Sequence, residues 1–308
     1  MSFPLLRLPY LAQIKVFQHL TLLEILHISK FSAKAKYTVQ ALKIRLHQAQ
    51  LVLNSRFQLK VQYLETWYAF STVEEINYEA PLNKEKNIVF IAEDPLKEVL
   101  NIFKQLQEIF LVSYDYVHIE ADYFKVDQVE LMCAMISNTS FQKVSVGFDQ
   151  SEKLERLLQV FTNPIKNLTI ENAPNRYDPP KLNVPMQSVK CEILTLQCLY
   201  WLKLPQLMAF DFITAKIPTT EISSSDTNVF LKSWRDGKTH QRMEKFEFSV
   251  DNANLVVIFE GISDNRDALD SGNGEIRVEG EDGRIATVHF MQKLCSILFV
   301  ITVNQEPF

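Results

Sequence analysis

An apolar-x-apolar pair recurs along the middle of this chain, and that recurrence limits its fold more than any other feature. It stands at Val89 and Ile91, Val117 and Ile119, Val144 and Val146, Leu168 and Ile170, and Leu194 and Leu196, at intervals of 28, 27, 24 and 26 residues. Alternation over so short a stretch marks a strand buried on one face. Phe246 and Phe248 form a further pair 52 residues beyond Leu194, two more intervals of 26, with Phe210 and Phe212 in between and out of step. Helices fill several of the gaps. Asp94 caps and Pro95 opens one that bears Leu96, Val99, Phe103, Leu106 and Phe110. Val129, Met132, Cys133 and Ile136 share one helical face, and Ser151 caps a helix with Leu154, Leu157, Leu158 and Phe161. Ser225 or Asp226 caps another, which carries Phe230 and Trp234 and is closed by Gly237. The proline-rich interval 171–188 reads as a loop.

A strand-plus-helix period of 24–28 residues lies in the leucine-rich-repeat range. Each such unit has a face it cannot bury alone, so neighbours stack into a sheet with helices outside. The asparagine ladder of that class is missing, which makes the array irregular. An open doubly wound sheet is the rival architecture, because the same alternation permits it. Glu275–Val303 reads as antiparallel strands, with a turn at Glu281-Asp282-Gly283. The expected fold class is therefore α/β. A short helical head over residues 1–47 precedes an irregular leucine-rich-repeat-like strand–helix body over 48–308, which ends in antiparallel strands. With 308 residues, 47% of them hydrophobic, the chain has enough material for a large core without staples.

The head has its own grammar. Pro9 fits the first turn of a helix, and Leu11, Ile14, Phe17 and Leu20 recur as one apolar stripe. Thr21-Leu22-Leu23-Glu24 is a capping box, so a second helix starts at Leu22 and runs to about Ile28. Ser29 or Ser32 caps a third, with Tyr37, Ala41 and Ile44 on one face and lysines on the other. Helices this short do not stand alone in water, so the stripe must dock on the body or on another protein. Charge sharpens the point. Residues 1–60 carry nine Lys or Arg and a single acid, Glu24, a net of +8; the formal −5 of the whole chain leaves −13 for the rest. A basic head on an acidic body fits an acidic partner, whether nucleic acid, an anionic membrane or a protein.

Phe3-Pro4-Leu5-Leu6-Arg7-Leu8-Pro9, the apolar helix, Leu20, the capped second helix and Ile28-Ser29-Lys30-Phe31-Ser32-Ala33-Lys34-Ala35-Lys36 together resemble an F-box over residues 3–45. Many F-boxes carry a Trp-Arg pair in the third helix. Ala33, Lys34, Ala35 and Lys36 stand there in this chain, which suits the variant of a large nematode-expanded F-box family. A second stretch, about residues 193–250, is similar to the F-box-associated type 2 domain. Its distinctive part is Asp226-x-Asn228-x-Phe230-Leu231-Lys232-x-Trp234, followed by Met243-Glu244-Lys245-Phe246-Glu247-Phe248. The resemblance implies a substrate-recognition subunit of an SCF-type ubiquitin ligase. Its head would dock the acidic adaptor, and through it the cullin scaffold, using Leu8, Pro9, Leu11, Ile14, Leu20, Leu23 and Leu26. The body would recruit a target protein.

Chemistry of other kinds is hard to place in this sequence. Seven glycines give few sites for wrapping backbone around a phosphate, and no Walker loop, dinucleotide fingerprint or nucleophile elbow occurs. No catalytic residue, metal ligand or cofactor is assigned. His19 and His27 read as surface or core-edge residues, and Cys133 as core. Cys191 and Cys198 flank a strand without further ligands nearby in sequence. Four unclustered cysteines suit a reducing compartment, and the longest apolar stretch near the C-terminus, Leu294–Val303, is about half a membrane span. An intracellular protein, cytoplasmic or nuclear and not membrane-bound, is expected. Tyr200 and Trp201, in an aromatic cluster just after a strand, are candidate partner anchors. The alternatives are a basic-headed nucleic-acid-binding protein, a reading weakened because the head has no recognition helix or aromatic platform, and a generic interaction scaffold.

Overall fold

Thr21 and Glu24 close the capping box that their spacing predicts. The Glu24 carboxylate accepts from the Thr21 backbone N–H at 2.7 Å, and the Thr21 hydroxyl accepts from the Glu24 N–H at 3.4 Å. In the computed structural model this opens the second of three head helices, α1 Tyr10–Phe17, α2 Leu22–Lys30 and α3 Ala33–Ala41. The structure describes residues 7–55, 57–73, 86–137, 139–148, 151–161, 163–172, 189–197, 202–218, 221–263, 273–293 and 295–304. Pro9 sits just outside α1 as its N-cap, and its carbonyl accepts from Gln13. Ser32, not Ser29, caps α3 by accepting from Ala35, while the Ser29 hydroxyl donates to the Leu26 carbonyl inside α2.

The chain divides into two compact units, residues 1–117 and 118–308. The first holds the head helices together with β1 Arg45–Leu53, β2 Phe57–Tyr63, β3 Thr66–Val73, β4 Lys86–Ile91, α4 Pro95–Ile109 and most of β5 Leu111–Glu120. β1 begins at Arg45, ahead of the boundary placed after residue 47. Strands β1, β2 and β3 are an antiparallel meander, and β4 joins β3 in parallel. Asp94 caps α4 by accepting from Lys97, and α4 lays Leu96, Val99, Phe103 and Leu106 on β2 and β3. In β4 the expected apolar pair faces the wrong way for a core: Val89 is 44% and Ile91 61% exposed. The neighbouring Phe90 instead stacks on Phe70, with ring centroids 6.3 Å apart. β4 ends the strand order on that side, and an edge strand has only one neighbour to impose its register.

The second unit keeps the alternation. α5 Val126–Ile136, β6 Phe141–Phe148, α6 Ser151–Val160, β7 Ile165–Asn172 and β8 Val189–Gln197 follow in chain order. Then come α7 Leu204–Ala209, β9 Phe210–Asp211, β10 Thr214–Ile217, α8 Ser224–Arg235, β11 Lys245–Asp251 and α9 Leu255–Ile258. β12 Asn273–Glu279, β13 Ile285–Gln292 and β14 Ser296–Asn304 complete it. Strands β6, β7, β8, β10 and β11 are parallel neighbours in that order, and β14, β13 and β12 continue the sheet antiparallel.

The recurring pairs fall into register. Val144, Leu168, Leu194, Ala215, Phe246, Ile301, Val288 and Ile276 are successive cross-strand partners, and none is more than 3% exposed. One apolar row thus crosses every strand of this order. The interval of 52 residues is filled by β10, whose pair is Ala215 and Ile217, while Phe210 belongs to β9 and pairs with Val189 at the start of β8. The β12–β13 turn passes through Gly283 at φ +79°, a conformation glycine adopts without strain. The interval 173–188, within the expected loop, lies outside the described residues.

Candidate protein-interaction site

The head buries one side and leaves another in water. Phe17, Leu22, Ile25, Leu26, Ala35 and Val39 are buried. Tyr63 of β2 donates its hydroxyl to the Phe17 carbonyl at 3.4 Å, and Lys36 pairs with Glu108 of α4 at 2.5 Å. The residues assigned to adaptor docking are therefore split. Leu26 is 7% exposed and packs inward; Leu8, Ile14, Leu20 and Leu23 are half-buried; Pro9 is exposed, and Leu11 is 76% exposed.

Three aromatic residues join Leu11 in solvent: Tyr10, Phe31 and Tyr37. Tyr37 was expected on the apolar face of α3 with Ala41 and Ile44. The inward face is instead Ala35 and Val39, one helical turn apart, and Tyr37 is 70% exposed. The Tyr10 hydroxyl donates to the Ala41 carbonyl at 3.2 Å and so ties α1 to the end of α3. Lys15, Lys30 and Lys34 are exposed on the same helices. Phe31, the C-cap of α2, is 79% exposed; its place at the end of a capped helix, beyond the periodic stripe, is the sequence signal for that position.

The two buried thiols of the second unit are not poised as nucleophiles. Cys133 and Cys191 are buried, and burial pushes their thiols up to about 11 and about 12, so both stay protonated at neutral pH. His118 Nδ1 lies 3.0 Å from the Ser145 hydroxyl and its Nε2 lies 3.0 Å from Glu120 Oε1. This ordering of side chains looks like a relay, but Ser145 is only 6% exposed. The trio reads as a polar fastener across the sheet surface. Among the described residues no group of three or more His, Cys, Asp or Glu side chains could hold a metal ion. Among the same residues no helix is long and apolar enough to cross a membrane. Tyr200, Trp201 and Cys198 lie outside the described residues.

The Asp226–Trp234 run is occupied with building the unit. Ser223, not Ser225 or Asp226, is the N-cap of α8. Its hydroxyl accepts from the Asp226 N–H at 3.1 Å, and Asp226 returns the bond to the Ser223 N–H at 3.0 Å. Asn228 donates its amide to the carbonyls of Ile258 and Glu260, at 2.8 and 3.0 Å. Phe230, Leu231 and Trp234 are buried, and the Phe230 ring lies 5.3 Å from that of Phe246.

Residues 185–248 match a family model described as F-box associated. The chain carries an F-box-associated segment. It spans the elements from β8 to β11, and the run just described lies on α8, the longer of its two helices among the described residues, and supplies part of its aromatic core. No curated protein matches the chain. No solved structure matches it either.

Proposed function

We propose that this chain is the substrate-recognition subunit of an SCF-type ubiquitin ligase, with residues 3–45 acting as an F-box. The observation that carries the reading is the F-box-associated match over residues 185–248, downstream of a proline-led, three-helix head. Such segments belong to substrate adaptors, which hold a target and perform no bond chemistry themselves. The head supports the reading through the exposed side chains of Leu11, Phe31 and Tyr37, on short helices that also expose Lys15, Lys30 and Lys34. Such a surface suits an acidic adaptor with an apolar groove: burial of the side chains supplies affinity, and the lysines speed encounter. The cullin scaffold follows through the adaptor, and the compartment would be intracellular. The parallel order β6-β7-β8-β10-β11 is the part of the body that suits an irregular leucine-rich-repeat-like array for the target.

Co-expression with the acidic adaptor tests the reading. A stable complex that also captures the cullin scaffold is expected, and Leu11→Asp should abolish it. No complex with the folded full-length chain overturns the F-box assignment.

A further inference from the structure

Two residues of the first unit take a left-handed backbone that side chains avoid. Lys43, between α3 and β1, has φ +49°, and Leu64, in the β2–β3 turn, has φ +55°. Both line the same open cleft of about 280 Å³. Ile14 of α1 and Tyr63 of β2 give it apolar walls, and the Tyr63 hydroxyl is anchored on the Phe17 carbonyl. Leu64 is 55% exposed in a position where glycine or asparagine would relax the backbone, so the turn retains an oily side chain at the cleft edge against its own conformational preference.

The rest of the rim is basic. The cations Lys43 and Arg45 and the imidazole of His47 are exposed and line the cleft, and no acidic side chain among the described residues lines it. No carboxylate among the described residues forms an ion pair with any of the three. Arg45 and His47 are alternate residues of β1, with Leu46 buried between them at 2% exposure. Alternate side chains of a strand stand on one face about 6.6 Å apart. An extended peptide repeats its own alternate side chains at that interval, so carboxylates two residues apart match Arg45 and His47.

We propose that this cleft binds an extended acidic peptide segment of a partner protein. Its apolar side chain rests against Ile14, Tyr63 and Leu64, and its carboxylates lie on Arg45 and His47. The volume accommodates one or two side chains, which calls for a short linear segment rather than a folded face. The inference does not rest on the ligase reading; a failed adaptor complex leaves it intact.

Fluorescence anisotropy on the full-length chain tests it with two short labelled peptides, one alternating Glu with Leu and one alternating Lys with Leu. The Glu peptide should bind with an affinity that falls as salt is raised, and the Lys peptide should not bind. Arg45→Glu together with His47→Glu should weaken the Glu peptide at least about tenfold. Leu64→Gly should weaken it while leaving the melting temperature unchanged or higher, because it removes the side chain and relaxes the backbone. Equal binding of the two peptides, or full affinity in either variant with its fold intact, overturns the proposal.

Discussion

The imidazole of His240 lies with its ring centroid 4.9 Å from that of Phe212, in a site that leaves the histidine 7% exposed. Phe230 closes a second side at 5.0 Å. Burial lowers the His240 pKa to about 4, and the Leu207 backbone and the Asp211 charge only partly oppose that shift. The folded value lies below the unfolded 6.5, so the neutral ring contributes stability that is intact above pH 6.5 and lost as pH falls toward 4. Unfolding free energies from urea titrations should drop across that window, by about 3 kcal/mol in total from this group. His240→Asn, which tolerates the φ of +53°, should flatten that part of the profile. An unchanged slope would remove His240 as the cause.

Leu11 and Leu26 should separate binding from folding. Leu26→Ala empties a buried site and should cost about 2–5 kcal/mol in chemical denaturation. Leu11→Asp changes a side chain that is 76% exposed and should shift stability by less than about 0.5 kcal/mol, yet abolish the adaptor complex. A destabilised Leu11→Asp would mean that the exposed stripe belongs to the fold.

Asn228 holds the carbonyls of Ile258, the last residue of α9, and of Glu260 just past it, so its loss leaves a buried and a part-buried acceptor without that donor. Asn228→Ala should cost about 1–3 kcal/mol, and amide exchange should quicken first around residues 255–260. Exchange unchanged there would remove Asn228 as the tie between α8 and that segment.

Thiol labelling at mildly alkaline pH should rank the cysteines by exposure. Cys295 is exposed and should react in the folded protein. Cys133 and Cys191, buried and held protonated, should react only after denaturant is added, as mass spectrometry of labelled peptides would report. Early labelling of either buried thiol would contradict the packing described here.

Features written in local chemistry were legible in the sequence. Thr21 with Glu24, Asp94 with Pro95, and Gly237 after α8 carry their geometry in a few residues. The pairs at Val144, Leu168 and Leu194 were readable because burial on one face imposes alternation. β10 was missed because four residues with Ala215 and Ile217 do not announce a strand; neighbours on both sides create it. Val89 and Ile91 misled for the opposite reason, since their composition suits a core while their edge position leaves them outside. In the head, the stripe marked a face that needs cover, but not that Leu26 turns inward while Phe31 and Tyr37 stay out. Lys43 and Arg45 of the rim were counted as charge before the β2–β3 turn brought Leu64 beside them.

The apolar row through Val144, Leu194 and Phe246 has a bookend. β14 meets β11 antiparallel along its whole length, from Lys245↔Thr302 to Asp251↔Ser296, so the growing side of the parallel stack is sealed by a strand of opposite direction. Another strand–helix module could not be spliced on after β11 without first prising that seal away. The array is closed to extension there, and lengthening it calls for insertion upstream.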